Sequence, residues 1–120
     1  MTSDQRVFTR IPFVRPLRWF DGRGNEGIGA VCDVGRGGVR IESSAYMRPG
    51  PMITVAFDGL EYEGEPVQLR AVVSWTKPDK NRSTFSSGLS WVHGERLTLP
   101  RINELYYSAI QAHVGTAASN

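Results

Sequence analysis

The chain has 120 residues, 40% of them hydrophobic and 22% charged, with a mean hydropathy of −0.30, which is enough for one domain with its own core. That composition excludes intrinsic disorder as the state of the whole chain. The formal net charge is only +2, but twelve of the fourteen cations are arginine, and residues 1–40 hold seven arginines against four acids.

Taken in chain order, residues 1–10 read as a flexible leader carrying Arg6 and Arg10. Arg10–Trp19 follows as a strand with Ile11, Phe13, Leu17 and Trp19 on one face. Pro12 and Pro16 each lack a ladder donor, so an edge position with a kink is expected. A DGRGNEG turn at 21–27 leads into Gly27–Val34, whose alternation points Ile28, Ala30, Cys32 and Val34 inward. A GRGG turn at 35–38 opens Gly38–Ser43, with Val39 and Ile41 facing in. Beyond an RPG turn at 48–50, Pro51–Phe57 presents Ile53, Val55 and Phe57. Residues 58–66, with Glu61, Glu63 and Glu65, read as a solvated hairpin.

The clearest alternation is Val67–Trp75, with Val67, Leu69, Ala71, Val73 and Trp75 on one face. After a KPDKNRS turn, Phe85–Val92 places Phe85, Leu89 and Trp91 together. From residue 96 the period changes. Ile102, Leu105, Tyr106, Ala109, Ile110 and His113 form the stripe of an amphipathic helix, with Thr98 as its N-cap and Pro100 in its first turn. Residues 115–120 read as a frayed tail. The expected fold is all-β: a six-stranded antiparallel barrel with one C-terminal α-helix, forming a single domain over residues 11–114.

Enzyme chemistry finds little support. His93 and His113 lack partners at metal-ligand or triad spacing. Cys32 is the only cysteine, so no intramolecular disulfide or thiolate cluster forms, and its alternation marks a small buried hydrophobe. The polar start MTSDQRVFTR is no signal peptide, and no apolar run approaches a membrane span. The expectation is a soluble cytoplasmic protein that is not an enzyme, needs no cofactor and does not insert into membranes.

Two features carry binding chemistry. Arg6-Val-Phe-Thr-Arg10 sets two guanidinium forks four residues apart, able to grip phosphate oxygens or a guanine edge, or to stack on a base. Asp33-Val-Gly-Arg-Gly-Gly38 is a tight turn whose glycines permit positive φ and close backbone approach to a phosphate. Its Asp33 carboxylate can accept hydrogen bonds from a guanine's N–H edge.

In this order, the two motifs resemble the PilZ domain family of bacterial cyclic di-GMP receptors, with its R-x-x-x-R and [D/N]-x-S-x-x-G signatures. The resemblance extends through Gly38-Val-Arg-Ile-Glu-Ser43, Ala71-Val-Val-Ser-Trp75 and Ser87-Gly-Leu-Ser-Trp91. It implies that Arg6 and Arg10 clamp the phosphates and guanines, that Asp33 reads a guanine edge, and that Gly38 keeps the turn open. Gly35 stands where the family has serine, a loss that bears on affinity rather than on fold.

The resulting expectation is a single-domain receptor. It would order its leader on binding cyclic di-GMP and so relay the signal to an unidentified effector protein. The alternative is a PilZ-like adaptor that binds no nucleotide and acts through protein contacts alone. A barrel for single-stranded nucleic acid would need stacking aromatics in a basic groove. Trp19, Trp75 and Trp91 all fall on inward faces, and a charge of +2 is low for that role.

Overall fold

The computed structural model describes residues 10–118. Its strands are β1 (Ile11–Phe20), β2 (Glu26–Val34), β3 (Gly38–Ser43), β4 (Met52–Tyr62), β5 (Glu65–Asp79) and β6 (Thr84–Trp91), followed by helix α1 (Thr98–Ala118). Every neighbouring pair is antiparallel, and the strands close in the order β1-β2-β3-β6-β5-β4, the barrel that the alternation predicts.

The inward positions make one core. Leu17, Val31, Val34, Val39, Ile41, Val55, Phe57, Val73 and Leu89 are all fully enclosed, and Phe57 meets Trp91 edge-to-face at 6.3 Å. Helix α1 packs mainly on β1 and β5, burying Ile102, Leu105, Tyr106 and Ala109. Each such large side chain contributes roughly 1.5–3 kcal/mol, so tertiary packing rather than helix propensity holds α1 in place. The charged 58–66 segment is indeed a hairpin. Glu63 and Gly64 sit at φ 53° and 80°, the left-handed pair that a two-residue turn between twisted strands requires.

Bulges shift the alternation in two strands. In β2, Val31 pairs with Ile41 but Asp33 pairs with Arg40, leaving Cys32 as the extra residue. Ile28, Ala30 and Cys32 therefore do not face the core as expected. Ile28 is 74% exposed, while Val31 and Val34 fill the interior. In β5, Val73 pairs with Leu89 but Trp75 pairs with Gly88, so Ser74 is extra and Trp75 turns outward. Trp19 and Trp91 are core, but Trp75 is not.

Strand β1 is not an edge, because it closes the barrel between β2 and β4. Its prolines are accommodated in a subtler way. Only Leu17–Phe20 pair with β4, so the half containing Pro12 and Pro16 has a neighbour on one side alone, and the register slips between Pro12 and Arg15. At α1 the Leu97 carbonyl accepts the first helical bond from the Arg101 N–H, so the helix begins one residue earlier than a Thr98 cap allows. The stripe ends at Ile110, since His113 is exposed. The helix also runs through residues 115–118, past the expected boundary at 114. Ala117 and Ala118 are strong helix formers and extend it. Among the described residues, no helix is long and apolar enough to cross a membrane.

Candidate functional site

The bulge at Cys32 positions the site. By adding one residue it aims Asp33 at the outer face, directly across from Arg40. Arg40 Nε donates to Asp33 Oδ2 at 2.7 Å, and Arg10 Nη1 lies 3.2 Å from Oδ1. The carboxylate is only 14% exposed, against 44% and 37% for Arg10 and Arg40. Two guanidinium groups thus cover one carboxylate and keep N–H groups facing solvent. The bond that Arg40 donates to Asp33 raises the pKa of Arg40 further, so it stays a cation. Asp33 Oδ1 accepts no well-aligned hydrogen bond and has only the Arg10 ion pair beside it. If Arg10 swings aside, Oδ1 becomes an open acceptor.

The turn between β2 and β3 adjoins this pair. The Gly35 N–H donates to the Gly38 carbonyl at 2.8 Å, closing the turn, and the Trp91 N–H donates to the Gly37 carbonyl at 3.0 Å. Arg10 Nη1 also reaches the Gly38 carbonyl at 3.4 Å, tying the end of the leader to the turn. Gly35, Gly37 and Gly38 all lie outside the left-handed region, so positive φ is not their purpose. Gly38 is required by close approach instead, since a Cβ there would overlap the Leu89 carbonyl of β6. Gly35 is different. A Cβ there would rest 3.6 Å from Arg10 Cγ and Nη1, which is ordinary contact.

Arg10, Asp33, Gly35 and Gly38 are therefore brought together, while Arg6 lies outside the described residues. Three neighbours were not singled out from sequence. Arg40 is the main partner of Asp33. Arg36, at the tip of the turn, stacks its guanidinium 4.6 Å above the Tyr106 ring of α1. Trp75 lies over Gly88, which pairs with Arg40 on its other side, so an outward indole flanks the cluster. Strand register alone brings Arg40 and Trp75 to the cluster, and Arg36 meets Tyr106 only through the packing of α1, which is why sequence spacing does not reveal these roles.

A separate cavity of about 760 Å³ opens at the opposite mouth of the barrel, between the β1–β2 turn and the β3–β4 loop. Trp19, Arg23, Tyr46, Met47 and Met52 help to line it, and it contains none of the cluster residues. Among the described residues, no three His, Cys, Asp or Glu side chains converge on a point where a metal ion would sit.

The PilZ domain family model matches residues 4–108. Among solved structures, the chain is similar to the PilZ domain of CeSA from a cellulose-synthesizing bacterium, at 14% identity and a TM-score of 0.65, covering 83% of this chain and 96% of that one. It is also similar to the Bacillus subtilis inhibitor of motility MotI/DgrA, at 14% identity and a TM-score of 0.68, covering 88% of this chain. The match covers 50% of the MotI/DgrA chain, so it spans about half of that protein's length. No curated protein matches. At these identities the structural likeness speaks to the fold alone.

Proposed function

This chain belongs to the PilZ domain family, and from that premise we propose that it is a cyclic di-GMP receptor acting through a protein partner in the cytoplasm. The observation that carries the reading is Asp33, held outward between Arg10 and Arg40 beside the backbone of the Gly35–Gly38 turn. Cyclic di-GMP offers two phosphates and two guanines. A guanidinium fork pairs with a phosphate or with guanine O6 and N7. A carboxylate accepts from the guanine N–H edge, and an outward indole such as Trp75 offers a stacking face.

Binding requires Arg10 to exchange part of its pairing with Asp33 for the ligand. Arg6, four residues upstream, would add a second fork and draw the leader onto the barrel. Ordering of residues 1–9 is then the signal that the effector reads. No covalent step, metal or cofactor enters this scheme, and the module is a receptor rather than an enzyme.

A second reading, an adaptor that binds no nucleotide, is favoured by one feature. Gly35 supplies no hydroxyl where the resemblance calls for one. A calorimetric titration with cyclic di-GMP, run beside GTP and a short single-stranded DNA, separates the readings. Saturable heat with cyclic di-GMP alone is expected. Silence from folded protein makes the adaptor the correct description, and saturable binding of the DNA contradicts both.

A further inference from the structure

We propose that Arg36 is an additional nucleotide-gripping arginine, parked on the ring of Tyr106 in the free protein, and that cyclic di-GMP competes with this ring for its guanidinium. The inference rests on the receptor reading above and extends it to the C-terminal helix. Arg36 is the exposed tip of the turn in which Gly35 and Gly38 already adjoin Arg10. Among the described residues its guanidinium has no carboxylate partner, and its contact is with the Tyr106 face at 4.6 Å. The nearest acid in the turn, Asp33, is already shared by Arg10 and Arg40.

The Arg36 side chain can travel without the turn. Its backbone neighbours are held, with Gly35 N–H bonded to the Gly38 carbonyl and Trp91 N–H to the Gly37 carbonyl, while Arg36 itself is exposed and a Cβ at Gly37 would meet nothing within 4 Å. Tyr106 is 6% exposed and is fixed among Leu105, Ala109 and Ile102 on the buried stripe, so the ring stays while the arginine travels. A charge-assisted bond to phosphate is stronger than a cation–π contact made by an exposed guanidinium, so a phosphate placed at the turn wins the exchange. Once Arg36 leaves, the face of the Tyr106 ring on α1 loses its cover. Nucleotide occupancy is thereby written onto a second surface. Linkage is reciprocal, so weakening the Tyr106 contact must tighten nucleotide binding.

Cyclic di-GMP itself is the probe. In the free protein the Arg36 side-chain N–H resonance should be displaced upfield by the Tyr106 ring current, and saturating cyclic di-GMP should remove that displacement. By calorimetry, Arg36→Ala should bind about tenfold more weakly, the scale of one charge-assisted bond. Tyr106→Leu should bind about two- to fivefold more tightly, since the ring contact it removes is worth less than a kilocalorie or so. The double variant should match Arg36→Ala alone, and Tyr106→Phe, which keeps the ring, should match the parent. An upfield signal that persists at saturation overturns the exchange, and this wild-type measurement decides the matter even if Tyr106→Leu does not fold. Parent-like affinity in Arg36→Ala sinks this inference and spares the receptor. A parent that binds nothing sinks both.

Discussion

Two turns of this barrel share the same ingredients and put them to different uses. Asp21-Gly-Arg-Gly-Asn25 joins β1 to β2, and Asp33-Val-Gly-Arg-Gly-Gly38 joins β2 to β3. In the first, Gly22 and Gly24 adopt φ of 79° and 96°, and the Asp21 carboxylate bends back on its own turn. It accepts from the N–H groups of Arg23 and Asn25 and from the Asn25 amide, at 2.7, 3.1 and 2.7 Å. In the second, backbone closes the turn, no glycine is left-handed, and the Cys32 bulge turns Asp33 away to face two arginines. An Asp and a Gly-Arg-Gly do not make a site by themselves. In the second turn the carboxylate is not consumed in closing its own turn and is left to pair with Arg10 and Arg40. The cavity of about 760 Å³ accompanies the first turn and the charged cluster the second.

The contrast breaks most readily at Arg10. Arg10→Ala should cost nucleotide binding about 2–5 kcal/mol, the range for a charged partner removed from a desolvated pair. The thermal midpoint of the free protein should barely move, because the half-exposed pair with Asp33 contributes at most about 1 kcal/mol. Equal affinity in parent and variant would remove the clamp.

Gly35→Ser sharpens the comparison from the other side. The residue is not left-handed and its Cβ finds ordinary contacts, so the variant should keep its stability within about 0.5 kcal/mol. The added hydroxyl can bond a phosphate, an interaction worth roughly 1.5–3 kcal/mol, which is about ten- to a hundredfold in affinity. A normally folded variant with unchanged affinity means that the missing hydroxyl does not limit the site.

Within the second turn, neighbouring glycines should separate in denaturant unfolding. Gly38→Ala forces a Cβ into the Leu89 carbonyl and should destabilise by about 1–3 kcal/mol, whereas Gly37→Ala meets open space and should be nearly silent. Equal losses would mean that backbone freedom, not close approach, fixes Gly38.

Legibility from the sequence followed the same physics. The number of strands, their antiparallel closure and the helix stripe were readable because alternation and the 3.6-residue period survive in most segments. The closeness of Asp33, Gly35 and Gly38 is legible because a turn keeps its residues adjacent in sequence, whereas Arg10, marked by its spacing from Arg6, reaches them only through the pairing of β1 with β2. The bulges at Cys32 and Ser74 were not, since one inserted residue reverses the facing of every side chain beyond it. That single blind spot placed Ile28 and Trp75 inside and hid the pairing of Asp33 with Arg40. Arg36 was invisible for another reason, because its partner lies seventy positions away on α1.

The smallest expected effect lies in the first turn. Hydrogen bonds from Asn25 and from the Arg23 backbone hold the Asp21 carboxyl below its ordinary value of 3.8. A depressed folded-state pKa adds stability that is fully present above 3.8 and is lost as pH falls through the lower folded value. Asp21→Asn should therefore melt slightly earlier than the parent at neutral pH, and the difference should shrink in acid. A gap that widens on acidification would reverse this assignment.

The distinction between the two aspartates is tested most directly by titrating cyclic di-GMP into Asp33→Asn and Asp21→Asn side by side. Both substitutions keep size and remove charge, and each alters one turn. Asp33→Asn takes the charged acceptor from the guanine edge and should weaken binding by about a hundredfold, the upper range for one bond to a charged group. Asp21→Asn should bind as the parent does. Equal losses in the two variants, or a loss confined to Asp21→Asn, would contradict the account.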